Sequence, residues 1–202
     1  RGVVPLMGLE TALGAIRAAQ TPAGAPGWRP WEARAEGTGA RLLPEGEAKA
    51  KLAAAGVAVP KGVSAPTLDE LRGQIGGIAA PFALKGMGFA HKTEAGAVRL
   101  GLSSLEGQAE MAGAAGYLAE EMVTGAVGEV LLGLRRDPVY GVTLTLGMGG
   151  VTAEVLADTV TLVAPVTEAE VAAALRRLRL WPLLDGYRGR RRADAGAIVQ
   201  AA

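Results

Sequence analysis

The sequence predicts an α+β protein of two lobes with a cleft between them. Three observations carry that prediction. Helix-like and strand-like stretches alternate first, in the order helix, strand, helix, hairpin, helix. A run of strand-like segments follows on short connections, which favour antiparallel neighbours. Three Ser/Thr-x-x-Glu signatures, Thr67 with Glu70, Ser103 with Glu106 and Thr167 with Glu170, mark helix starts. A cleft between lobes is a common place for a small ligand.

Residues 9–19 carry apolar side chains at helical spacing and predict a short helix. Residues 21–40 are rich in Pro, Gly and Ala, which is linker composition. Trp28 and Trp31 within it either tack it onto a neighbour or stand exposed. Pro44 sits where a first helical turn tolerates proline, and residues 45–55 carry Ala48, Leu52 and Ala55 on one helical face. Gly56 is a C-terminal stop, and residues 57–59 read as a short strand. The helix capped by Thr67 ends near Gly76 and Gly77. Residues 82–85 and 97–102 are strands joined as a hairpin, and the helix opened by Ser103 runs to about Gly116. Residues 117–123 read as a buried strand with two carboxylates near its end. Further strands are expected at 129–135, 142–146, 152–156 and 159–164, with Val142, Leu144, Leu146 and Val160, Leu162 alternating as one-sided sheet residues should. Thr167 starts a helix through Val171, Ala174, Leu175 and Leu178, and residues 185–202 are basic, then Ala-rich.

Composition narrows the function. The 202 residues suffice for one sizeable domain or two small lobes. Half are apolar but only 4% aromatic, so Ala, Val and Leu must build the core. A net charge of +1 argues against a general nucleic-acid binder, which carries a basic field. The lack of cysteine excludes disulfides, thiolate nucleophiles and Cys-based zinc sites, and is compatible with a reducing, cytoplasmic setting. No apolar run is long enough to span a bilayer, and no membrane partner is expected. The chain begins at Arg1, inside a helix-like stretch and without an initiator methionine, so it reads as a piece of a longer polypeptide.

The stretch from Phe82 to Leu100 concentrates the chemistry. Lys85 closes one apolar run, and His91 and Lys92 sit in a glycine-flanked connection to the next. Lysines supply charge, glycines such as Gly86, Gly88 and Gly96 let backbone approach an anion, and histidine offers a nucleophilic nitrogen near neutral pH. Lys85 reads equally as a phosphate contact or a surface lysine. His91 reads as a phosphate contact, a covalent phosphoryl carrier, or a hydrogen-bonded structural residue. It has no Cys or His companion, which sets a metal site aside. Glu120, Glu121 and Glu129 form a second constellation that suits a hinge, where purines bond to backbone and carboxylates accept from ribose hydroxyls; a solvated acidic edge fits the same residues. Glu154 and Asp158 offer oxygen ligands for magnesium, but a hairpin turn at Ala157 and Asp158 is favoured. The glycines at 147, 149 and 150 lack the spacing and following helix of a dinucleotide fingerprint.

Taken together and in this order, the segments at 43–60, 83–102, 118–123, 129–150 and 178–190 resemble the nucleotide-binding half of NDP-forming acyl-CoA synthetases, relatives of succinyl-CoA synthetase. The His-Lys-Thr-Glu segment at 91–94 is the most specific match. The resemblance implies an ATP-grasp fold over residues 41–202, incomplete at its C-terminus, a linker at 21–40, and the tail of a CoA-ligase domain at 1–20. It implies ATP/ADP and magnesium as cofactors, and a CoA-binding half, fused or separate, as partner. In the family a phosphoryl group passes from acyl phosphate through a histidine of that half to ADP, and in some members a second histidine, in the His-Lys motif, relays it. Carried over, His91 is the relay, Lys85 a phosphate contact, Glu121, Met122 and Val123 flank the adenine, Glu129 lies at the ribose, and Glu120 and the loop's Gly96 are further nucleotide-binding residues. Ala97 stands where the family has a second glycine. The family's metal-bearing Asn-Pro-Leu stretch and following Asp are not reached by Ala202, so metal ligands are expected beyond it. The alternative is a non-catalytic nucleotide-sensing or structural module of a larger synthetase-like protein.

Overall fold

The computed structural model describes residues 8–20, 28–32, 41–89, 95–150 and 156–202. Helix α1 (Leu9–Gln20) is followed by the segment 28–32 and then by a first lobe. That lobe contains α2 (Glu45–Ala54), β1 (Gly62–Ala65), α3 (Leu68–Gln74), β2 (Phe82–Gly86), β3 (Val98–Leu102) and β4 (Tyr117–Glu121). Its sheet is antiparallel in the order β1-β4-β2-β3. The second lobe holds β5 (Val130–Asp137), β6 (Gly141–Met148) and β7 (Thr159–Val163), paired in that order, with α4 (Glu168–Arg177), α5 (Trp181–Leu184) and α6 (Ala195–Ala201).

Register explains how the first sheet divides its labour. Ala83 pairs with Glu120, Lys85 with Leu118 and Gly62 with Glu120, so these residues share one face. The opposite face carries Phe82, Leu84, Tyr117 and Ala119, which form a core with Leu68 and Leu71 of α3 and with Leu105 and Met111. In the second lobe Leu144, Leu146 and Met148 of β6 pack on Val171, Ala174 and Leu175 of α4, as the alternation at 142–146 requires. Thr167 caps α4 with the reciprocal Glu170 bond that its sequence signature specifies.

Three local expectations are corrected. Residues 103–116 are turns rather than a helix. Their carbonyls are taken by distant side chains: Arg72 donates to Gln108 O at 2.8 Å and Arg99 to Ala109 O at 2.7 Å. Tyr117 Oη accepts from the Met111 N–H at 2.9 Å, and Gly107 and Gly113 sit at positive φ. Residues 57–59 are not a strand, because the Val57 N–H bonds back to Leu52 O at 3.0 Å and finishes α2; pairing begins at Gly62 instead. The Ala48, Leu52 and Ala55 face of α2 is not a packed one: no residue of α2 is buried, and Glu45, Gly46 and Lys49 meet the sheet. The expected strand at 152–156 falls, apart from Leu156, outside the described residues.

Within the stretch expected as a linker, the described residues 28–32 dock on the second lobe. Trp31 N–H donates to Ala164 O at 2.8 Å and Val142 N–H to Trp31 O at 2.9 Å, while Trp28 Nε1 donates to Pro165 O at 3.3 Å. Gly141 makes room for this: its φ is +79°, and a Cβ there would lie 2.2 Å from Trp31 O. Gly141→Ala is expected to cost about 1–2 kcal/mol through the left-handed backbone alone. It should also release the 28–32 segment, read as faster proteolysis there and altered tryptophan fluorescence.

Candidate functional site

Among the described residues, the sheet face opposite the core carries a ring of four charges. Lys85, at the end of β2, donates to Glu45 Oε1 at 2.8 Å and to Glu120 Oε1. Lys49 donates to Glu120 Oε2 and pairs with Glu45 Oε1 at 2.9 Å. Glu120 stands diagonally across from Lys85 on the neighbouring strand, where long side chains reach one another. Helix α2 comes close enough to contribute because residue 46 is glycine, where a Cβ would lie 2.6 Å from Ser64 Oγ. Burial disfavours the charged form of Lys85, but its hydrogen bonds to Glu120 and Glu45 outweigh that and raise its pKa above the ordinary lysine value. Lys85 is therefore a cation at every physiological pH.

The chain leaves this sheet through residues 122–129. Glu121 accepts from Ala79 N–H at 3.3 Å, and Met122 Sδ accepts from Gly101 N–H at 3.1 Å, which ties the start of the connection to the first lobe. Val123 follows at 71% exposure. Glu129, exposed, opens the second lobe against the glycines at 149 and 150: its carbonyl accepts from Gly149 N–H at 2.7 Å, and a Cβ on Gly150 would lie 2.9 Å from its carboxylate. The connection is held from the far side by Arg191, which donates to Gly125 O at 2.7 Å.

The structure thus joins Lys85 and Glu120, which the sequence presents as separate constellations. It places Glu121 at the end of β4, Met122 and Val123 on the interlobe connection and Glu129 at its far end. Gly96 lies in a turn at φ +65°. His91, Lys92 and Glu154 lie outside the described residues. Glu45 and Lys49 are the members of the ring that do not stand out in the sequence. The available signal was the Glu/Lys pair four residues apart with a glycine between, on a helix with a weak apolar face.

Asp158 has a structural task. Its carboxylate is buried and accepts from the N–H groups of Arg179 and Leu180, both at 2.9 Å. Burial pushes its pKa up, but these donors and the Arg179 charge prevail and hold it below the usual carboxylate range. A depressed folded pKa means stability that is present above about pH 3.9, the unfolded value, and lost as pH falls through the lower folded value. Asp158→Ala is expected to lose about 2 kcal/mol at neutral pH and to flatten the acid limb of the melting curve. Among the described residues no three His, Asp or Glu side chains converge as a metal site.

The ATP-grasp domain family matches the chain over residues 33–202. The chain belongs to the ATP-grasp family. This ATP-grasp chain is 32% identical to the β subunit of ADP-forming acetate–CoA ligase II from Pyrococcus furiosus, over 80% of its own length and 75% of that subunit. It is 34% identical to ADP-forming acetate–CoA ligase I of Archaeoglobus fulgidus over 69% of its length, and spans only 22% of that larger protein. It resembles the structure of acetyl-coenzyme A synthetase 1 from Ca. Korarchaeum cryptofilum in complex with coenzyme A and Mg-AMPPCP, with a TM-score of 0.65 and 29% identity over 79% of this chain and 76% of that one. The two-lobed α+β expectation and the family resemblance are both borne out. Among the described residues no helix is long and apolar enough to cross a membrane.

Proposed function

We propose that this chain is the nucleotide-binding part of an ADP-forming acid–CoA ligase, which converts acid, CoA and ATP to acyl-CoA, ADP and phosphate in the cytoplasm. The observation that carries the reading is Lys85, a permanently charged ammonium on one lobe of a chain whose relatives of matching length are β subunits of such ligases. The residues fit a nucleotide. Lys85 supplies a point charge for phosphate. Glu121, Met122 and Val123 flank the adenine where β4 passes into the interlobe connection, and Glu120 holds Lys85 beside the nucleotide. Glu129, exposed at the far end, accepts from ribose hydroxyls, and Gly96 lets the loop turn. Magnesium neutralises developing charge when bound with the nucleotide; no described residue is assigned to it.

His91 is the phosphoryl relay. A neutral ring nitrogen attacks the γ-phosphorus, an N–P bond forms as the P–O bond to ADP breaks, and ADP takes the electron pair. The group then moves to a histidine of a CoA-binding partner half. The related structure described with its phosphohistidine segment pointing towards the nucleotide-binding site supports a phosphohistidine route of this kind.

Calorimetry of the full-length protein with Mg-ATP, alongside assay of ADP release, tests the reading. Saturable binding is expected, weakened about tenfold or more by Lys85→Gln, with ADP release that needs both acid and CoA. Binding without turnover would point instead to a nucleotide-sensing module, and no binding at all would overturn the reading.

A further inference from the structure

The ring around Lys85 has two unlike carboxylates. Glu120 is anchored on β4 between two strands, and its side chain is 7% exposed. Glu45 lies in the first turn of α2, a helix with no buried residue, and its side chain is 25% exposed. Each lysine takes a separate oxygen of Glu120, yet both converge on one oxygen of Glu45, at 2.8 and 2.9 Å. An anionic oxygen held by two ammonium groups is the pattern of a phosphate oxygen between two lysines. Glu45 also lines an open groove of about 840 Å³ with Gly46, Ser64, Met87 and Phe89, so its side chain has room to turn aside.

The charges decide which group must move. Among the described residues the two lysines and two carboxylates sum to zero, which offers no net attraction to a polyphosphate. With Glu45 turned away, Lys49 and Lys85 face the ligand against Glu120 alone, and the site is cationic. We propose that Lys49 is a second phosphate-binding cation of the nucleotide site and that Glu45 is the exchangeable carboxylate that a nucleotide phosphate displaces from the lysine pair. This rests on the nucleotide-binding reading above and adds to it a residue on α2 and a competing internal anion. Nucleotide affinity is then set by how firmly Glu45 holds the two lysines, because the ligand must outcompete it.

Titration of the full-length protein with Mg-ATP, with melting temperature measured in parallel, tests the exchange. Lys49→Met is expected to weaken binding about tenfold, with Lys49→Arg restoring most of it. Glu45→Gln is expected to tighten binding about three- to tenfold while lowering the melting temperature. A purely structural ion pair cannot produce that combination. Unchanged or weaker binding in Glu45→Gln overturns the exchange. In the wild-type protein, acetic anhydride labelling read by mass spectrometry should show Mg-ATP shielding both Lys49 and Lys85; shielding of Lys85 alone overturns it without any variant. If the wild type binds no Mg-ATP, the nucleotide reading itself falls and takes this one with it. If the wild type binds and Glu45→Gln does not tighten, only the exchange falls.

Discussion

His91→Ala in the full-length protein is expected to abolish acid-labile phosphate on this domain and to depress acid- and CoA-dependent turnover on the order of a thousandfold or more. A covalent relay divides one transfer into two, so removal of the nucleophilic nitrogen costs most of the catalysis. His91 is also the chain's only histidine, so the label has no other imidazole of this domain to occupy. The measurement is incubation with γ-labelled ATP, comparing alkali-stable, acid-labile label in wild type and variant. Equal label in both would remove His91 from the route. Mg-ATP affinity should change little, because Lys85 and the interlobe connection are untouched, and that separates a transfer defect from a binding defect.

Glu120→Ala is expected to give the largest loss of stability, about 3 kcal/mol. Glu120 is 5% exposed and receives both Lys85 and Lys49. Removing it leaves two ammonium groups sharing Glu45, with part of their desolvation uncompensated. The value sits at the low end for a broken buried pair because both lysines keep partial contact with water and one carboxylate partner. Urea unfolding should show a lower midpoint with little change in slope. The alkaline limb gives an independent reading. Lys85 has a raised folded pKa, so its contribution is fully present below about pH 10.4, the unfolded value, and is lost as pH rises through the folded value. Glu120→Ala should shrink that loss, because the partner that raises the pKa is gone.

Both experiments act on a site only half legible in the chain. Lys85 and His91 stand out because charge and imidazole between two apolar runs are visible within a dozen residues. Glu120 stands out as an acidic strand end, and the order of these segments resembles a family that the comparisons bear out. The ring itself could not be read. Apart from the Glu45–Lys49 pair on α2, its bonds join residues 35, 40 and 71 positions apart, and nothing local records that β4 lies between β1 and β2 or that α2 crosses their outer face.

The same division runs through the fold. Thr67 and Thr167 start helices as expected because a hydroxyl three residues from an N–H needs no distant partner. The alternation along β6 likewise holds because one-sided burial with period two is written residue by residue. Ser103 and Glu106 carry the same signature as the other two pairs, yet residues 103–116 do not form a helix. There Arg72, Arg99 and Tyr117 compete for the backbone groups that a helix would have used, while Leu105 and Met111 are drawn into the core. The sequence alone therefore determined the two-lobed class, the capped helices, the one-sided strands and the family. Only the tertiary structure decided where distant side chains displace local hydrogen bonds and which carboxylates surround Lys85, because those energies exist only once remote segments are brought within reach of one another.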